Sequence, residues 1–193
     1  MKNLATLLLT VIYLSLMVIF WQTVSADESY VESQRALKKT NFEVAIQQAN
    51  KSIQKNLDEP RYYYGRAKVL LTLTVNLADE EKPHVKYLAE NDLLTAQNLN
   101  PKNLTTLRNI IPLYYFLAVD DLGGIGDENN VDPEFIERTK NYFEMMHSYS
   151  PTDAGIYTLL AKYEKRLGLN ELYEQSVEKI KILRPDLLEW YVE

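Results

Sequence analysis

The residues best suited to chemistry in this 193-residue chain are few and far apart. Its two histidines, His84 and His147, stand beside Pro83 and Met146, and neither belongs to an H-E-x-x-H pair or a nucleophile elbow. A histidine at a solvated helix edge accounts for both. The segment Asp120-Asp121-Leu122-Gly123-Gly124-Ile125-Gly126-Asp127-Glu128-Asn129-Asn130 offers the oxygen ligands that a hard cation takes, with Asp127 and Asn129 at alternate positions. Val131 then fills the next ligand position and no glycine follows where an EF-hand needs one, so a solvated loop is expected. Gly123-Gly124-x-Gly126 lacks both the preceding apolar strand and the Lys-Ser/Thr of a phosphate loop. The absence of cysteine removes thiolate catalysis, disulfides and cysteine zinc sites. The expectation is a non-enzymatic chain with no catalytic residue, no metal and no cofactor.

Binding chemistry has more to work with. Fourteen tyrosines include the runs Tyr62 to Tyr64 and Tyr114 to Phe116. Successive helical residues point about 100° apart, so a run of three cannot face one ligand, and core packing is the expected use. Arg66, Arg108 and Lys162 are cations on a chain of net charge −6, and a guanidinium pairs with carboxylates through two parallel bonds. That same negative balance, 27 acidic against 21 basic residues, leaves no electrostatic footprint for duplex nucleic acid.

The elements that would position these residues are helical. Only six glycines and seven prolines occur, and most prolines fall where apolar helical spacing ends. Tyr30, Ser33 and Ala36 suit a first helix, and Asn41 and Phe42 open a second that carries Ala45, Ala49 and Ile53. Pro60 resets the chain. Tyr62, Gly65 and Ala67 begin the next pair, whose partner helix presents Ala89, Leu93 and Ala96 before Pro101. Leu104 to Tyr114 starts a third pair in which Pro112 predicts a kink or an irregular turn, with Asp132 as cap and Pro133 as first residue of its second helix. Tyr157, Leu160 and Ala161, a break at Gly168, then Tyr173, Val177 and Ile180 make a fourth pair before Pro185, and Leu187 to Glu193 makes a short cap.

Ahead of these pairs, 24 residues without a formal charge lie between Lys2 and Asp27, enough for one helix across a bilayer. Residues 1–26 are therefore expected as a membrane anchor, and 27–193 as the repeat domain. Val24, Ser25 and Ala26 also form a small-residue cleavage pattern, so a signal peptide removed before Asp27 is the alternative. Lys2 points weakly to an amino end inside and a domain outside the cytoplasm, which in a bacterium would be periplasmic or on the outer surface.

Pro151 and Pro185 stand 34 residues apart (185 − 151), the period of a tetratricopeptide helix pair. With the small, large, small and proline succession above, the segment Ala26 to Pro185 resembles a divergent run of about four such repeats. The resemblance implies an all-α, tetratricopeptide-like superhelix whose first helices line a concave groove. Carried onto this sequence, that register places Tyr62, Arg66, Arg108, Asn109, Thr158 and Lys162 inward, where the cations would suit a protein partner presenting an acidic or extended peptide segment. A membrane helix followed by Asn41-Phe42-x-x-Ala45-Ile46, Glu59-Pro60-x-Tyr62-Tyr63 and Leu99-Asn100-Pro101 is also similar to the tail of bacterial O-antigen ligase-like membrane proteins. That resemblance implies an envelope setting. Those enzymes work on a bundle of many membrane helices, so their activity does not follow from it. Two functions are expected in order: a membrane-anchored interaction scaffold, then an accessory or terminal piece of a polysaccharide ligase or polymerase system.

Overall fold

The computed structural model describes residues 2–122 and 130–188, with side chains from residue 6 onward. Eight α-helices follow one another among them: α1 Lys2–Lys38, α2 Phe42–Lys55, α3 Pro60–Leu73, α4 Lys82–Leu99, α5 Leu104–Ala118, α6 Ile136–Tyr149, α7 Ala154–Arg166 and α8 Asn170–Leu183. Short 3₁₀ turns occupy Thr74–Asn76 and Pro185–Leu187. Among the described residues the β-type pairing is confined to one isolated antiparallel bridge, Val119 with Val131. The chain is all-α.

Most boundaries have a local cause. Asn41, Glu59, Asn103 and Asp153 each cap a helix by accepting a bond from a backbone N–H two or three residues on. Pro60 occupies the first turn of α3, where its missing N–H costs nothing. Asp132 does cap its segment, accepting from the Glu134 N–H, but the turn through Pro133 delays regular helix to Ile136. Pro112 lies inside α5 without ending it. The carbonyl that loses its donor belongs to Arg108, on the exposed side, where water can replace the bond.

Packing links each helix pair to the next. α1 packs on α2 and α3, α3 on α4 and α5, α5 on α6 and α7, and α7 on α6 and α8. Small residues set the distance at the first joint: the Ser33 hydroxyl donates to the Ala45 carbonyl at 2.8 Å, and a Cβ on Gly65 would collide with the Tyr30 ring. The main core runs from Ala67 through Leu93, Ile110, Tyr114, Phe143 and Leu160 to Ile180, and two smaller clusters hold α1 to α2 and α3.

The apolar segment and the polar helix that follows it form a single 37-residue helix, about 55 Å long at 1.5 Å per residue. The 26/27 boundary falls inside it, and Ala26 is completely buried with Ile53 and Tyr62. From Leu7 to Trp21 the helix is exposed and apolar, and the hydroxyls of Thr10, Ser15 and Thr23 bond back to carbonyls four residues earlier. It is long and apolar enough to cross a membrane.

Candidate functional site

Charge is distributed unevenly between the two kinds of helix. The first helices of the last three pairs carry Arg61, Arg66 and Lys68 on α3, Arg108 on α5, and Lys162, Lys165 and Arg166 on α7. These seven cations face one acidic residue, Glu164, which is buried. The second helices α4, α6 and α8 hold six cations, Lys82, Lys86, Arg138, Lys140, Lys179 and Lys181. Against these stand seven acids: Glu90, Asp92, Glu137, Glu144, Glu171, Glu174 and Glu178. Within their bounds these three helices expose cations and no carboxylate, while Glu59 and Asp153 cap two of them and pair with Arg61 and Arg108.

That row is continuous. α3 packs on α5 and α5 on α7. A cleft of about 440 Å³ brings Arg61 and Tyr64 of α3 together with Thr105 at the start of α5. Arg108 reaches across to the cap of α7, donating to both carboxylate oxygens of Asp153 at 2.9 Å. Arg166 lies 6.0 Å from the Tyr115 ring centroid, joining the two helices again at the far end. Tyr64 and Phe116 are half-buried on α3 and α5 and offer apolar contact area. Burial pushes the Tyr64 phenol up to about 12, so it stays neutral.

The six residues singled out by the repeat register fall into two groups. Tyr62 has no exposed surface: its ring packs beside Tyr30, and its hydroxyl donates to Asp27 at 2.6 Å. Burial and that bond raise its pKa. Arg66 turns the same way, donating to both oxygens of Asp92 and to Asn50 at 2.7 to 2.8 Å, which locks α2, α3 and α4 together. Burial pushes the Asp92 carboxyl up, and the Arg66 bonds offset this only in part. Arg108, Asn109 and Lys162 lie on the open side, with Thr158 nearly buried beside them and bonded to the Gly155 carbonyl. The open side of α3 carries three residues that the register did not single out: Arg61, Tyr64 and Lys68. Lys68 and Lys162 have no acidic partner among the described residues, and Lys162 rests 5.5 Å from the Tyr163 ring centroid.

A second polar cluster lies between α6, α7 and α8. His147 is mostly buried rather than at a solvated edge, while His84 is exposed. The His147 Nε2 sits 2.8 Å from Glu164 Oε1 and 3.1 Å from the Ser176 hydroxyl. Acid and hydroxyl meet the same ring nitrogen, whereas a nucleophilic triad needs them on opposite nitrogens. The cluster holds three helices together. No group of three or more His, Asp or Glu among the described residues is spaced to hold a metal ion, and Asp127 and Asn129 lie outside those residues.

Compared with models of known families the chain matches none, and no curated protein matches it either.

Proposed function

We propose that this chain is a membrane-anchored, non-enzymatic scaffold in which four tetratricopeptide-like helix pairs stack into a superhelix and hold an acidic, extended segment of a protein partner along the first helices. The charge distribution carries this reading: within their bounds α3, α5 and α7 expose cations and no acid, and Lys68 and Lys162 among them have no acidic partner among the described residues, in a chain of net charge −6. A concentration of one sign on an otherwise acidic protein raises local counter-charge and steers encounter. Pairing with carboxylates then fixes register, while Tyr64 and Phe116 supply the apolar contact that pure charge pairing lacks.

The apolar half of α1 supports single-pass anchoring, and the weak charge asymmetry around it favours an extracytoplasmic domain in a bacterial envelope. Anchoring confines the groove to a surface and raises its effective concentration toward membrane partners.

Choice of residues matters in testing this. Arg66→Glu would leave Asp92 buried without its partner and Arg108→Glu would set a second carboxylate against Asp153, the cap of α7, so both confuse binding with folding. Lys68 and Lys162 are exposed and free of that defect. The test is fluorescence anisotropy of a labelled, glutamate-rich peptide titrated with the detergent-solubilised full chain. Saturable binding that weakens with added salt and disappears with Lys68→Glu plus Lys162→Glu is expected. Binding of equal strength by that double variant would refute the groove.

A further inference from the structure

We infer that the end of the helical domain formed by the α2–α3 and α4–α5 turns seats on the bilayer surface, inserting Leu57, Leu99 and Leu104 among the lipid headgroups. The inference rests on the reading of α1 as a membrane span. The last apolar residue of the exposed stretch is Trp21, and α1 continues without interruption into the domain. Four residues later, about 6 Å along the axis, Ser25 already touches the domain. Lys55 Nζ donates to its carbonyl at 2.9 Å, to its hydroxyl at 2.6 Å and to the Ser29 hydroxyl at 3.0 Å. The headgroup layer is about 5–7 Å thick on each side. No linker separates lipid from protein.

Direction follows from the same contacts. Ser33 meets Ala45 while Ser25 meets Lys55, so α2 runs antiparallel to α1 and returns toward the bilayer. Leu57 lies two residues past the last residue of α2, at the lowest point of that return, and 60% of it is exposed. The shared cleft with Asn100 and Asn103 puts the α4–α5 turn alongside, and exposed Leu99 and Leu104 flank that turn. Three leucines displayed on neighbouring polar turns leave apolar surface open to solvent. A headgroup layer accepts them, because apolar side chains at that depth leave water at little polar cost. Charge on this end is balanced: Asp27, Asp58 and Glu59 are accompanied by Lys55, Arg61 and Lys102, with Arg61 bonded to Glu59 at 2.9 Å and to Asp27 at 3.2 Å. The seat therefore suits zwitterionic and anionic lipid alike.

The chain has no cysteine, so Val18→Cys, Leu57→Cys, Leu104→Cys and Val75→Cys can each carry one bimane label. Val75 is equally apolar and exposed but lies in the α3–α4 turn, at the opposite end of the helices. The labelled full chain is reconstituted in phosphatidylcholine–phosphatidylglycerol vesicles, with and without lipid bearing a nitroxide near the top of its acyl chain. Loss of fluorescence at positions 18, 57 and 104 but not at 75 is the expected result. Quenching at 18 alone would show a domain held off the lipid, overturning the seat and leaving the anchor intact. No quenching at 18 would remove the anchor and the seat together. Equal quenching at 57, 75 and 104 would overturn the orientation.

Discussion

Asp153 joins two tasks in one side chain: it accepts the Ile156 N–H that starts α7, and it takes both bonds from Arg108. Burial works against its charged form, but the Arg108 bonds, together with the backbone N–H groups of Ile156 and Gly155, outweigh burial and hold its pKa below the ordinary value. A carboxylate with a depressed folded pKa contributes stability above its unfolded pKa, and that contribution is lost as pH falls through the folded value. Asp153→Asn keeps the cap and removes the charge. It is expected to cost about 0.5 kcal/mol at neutral pH, the size of a partly exposed ion pair. Urea unfolding at a series of pH values should show the gap from the parent chain closing below about pH 4, near the ordinary carboxylate range. A gap that persists in acid would mean that the pair with Arg108 contributes nothing.

At the scale of elements, two turns solve one backbone problem with different residues. Gly168 ends α7 at φ +66, and Thr40 joins α1 to α2 at φ +55. The left-handed region is open to glycine and strained for a β-branched side chain. Gly168→Ala should lower stability by about 1 kcal/mol, whereas Thr40→Gly should leave it unchanged or raise it. Thermal unfolding of both variants reads the contrast, and a loss in Thr40→Gly as large as in Gly168→Ala would contradict it. Helix pairing itself was legible beforehand. Pro60, Pro101 and Pro151 mark the turns, and Ser33, Ala45 and Gly65 sit where helices touch most closely. The continuity of α1 was not. A change from apolar to polar composition at Ala26 looks like a boundary, yet no Gly or Pro stands between Trp21 and Lys38 to stop the helix. Facing was legible only in part. On α3 the register chose Tyr62 and Arg66, four apart and both turned into the packing, while the open side carries Arg61, Tyr64 and Lys68. A shift of two residues rotates a helical position by about 200°, which moves it to the other face. The absence of exposed acids from α3, α5 and α7 becomes visible once those helices are bounded.

For the molecule as a whole, the arrangement couples a stiff attachment to a row of helices rich in cations. Polar ties at the joints resist bending between pairs: Arg66 with Asn50, Lys86 with Asp132 and the Val119 carbonyl, and His147 with Glu164. The α5–α6 insertion is fastened at its base by Lys86, so its length need not disturb the row of first helices. The row of cations on that stiff frame would hold an acidic segment at a fixed distance from the lipid. Photo-crosslinking tests this most directly. A glutamate-rich peptide carrying benzophenone is irradiated with the full-length chain, and the attachment points are mapped by mass spectrometry. Crosslinks concentrated on the open side of α3, α5 and α7, around Tyr64, Lys68, Phe116 and Lys162, are expected. Crosslinks concentrated on α4, α6 and α8 would contradict the account.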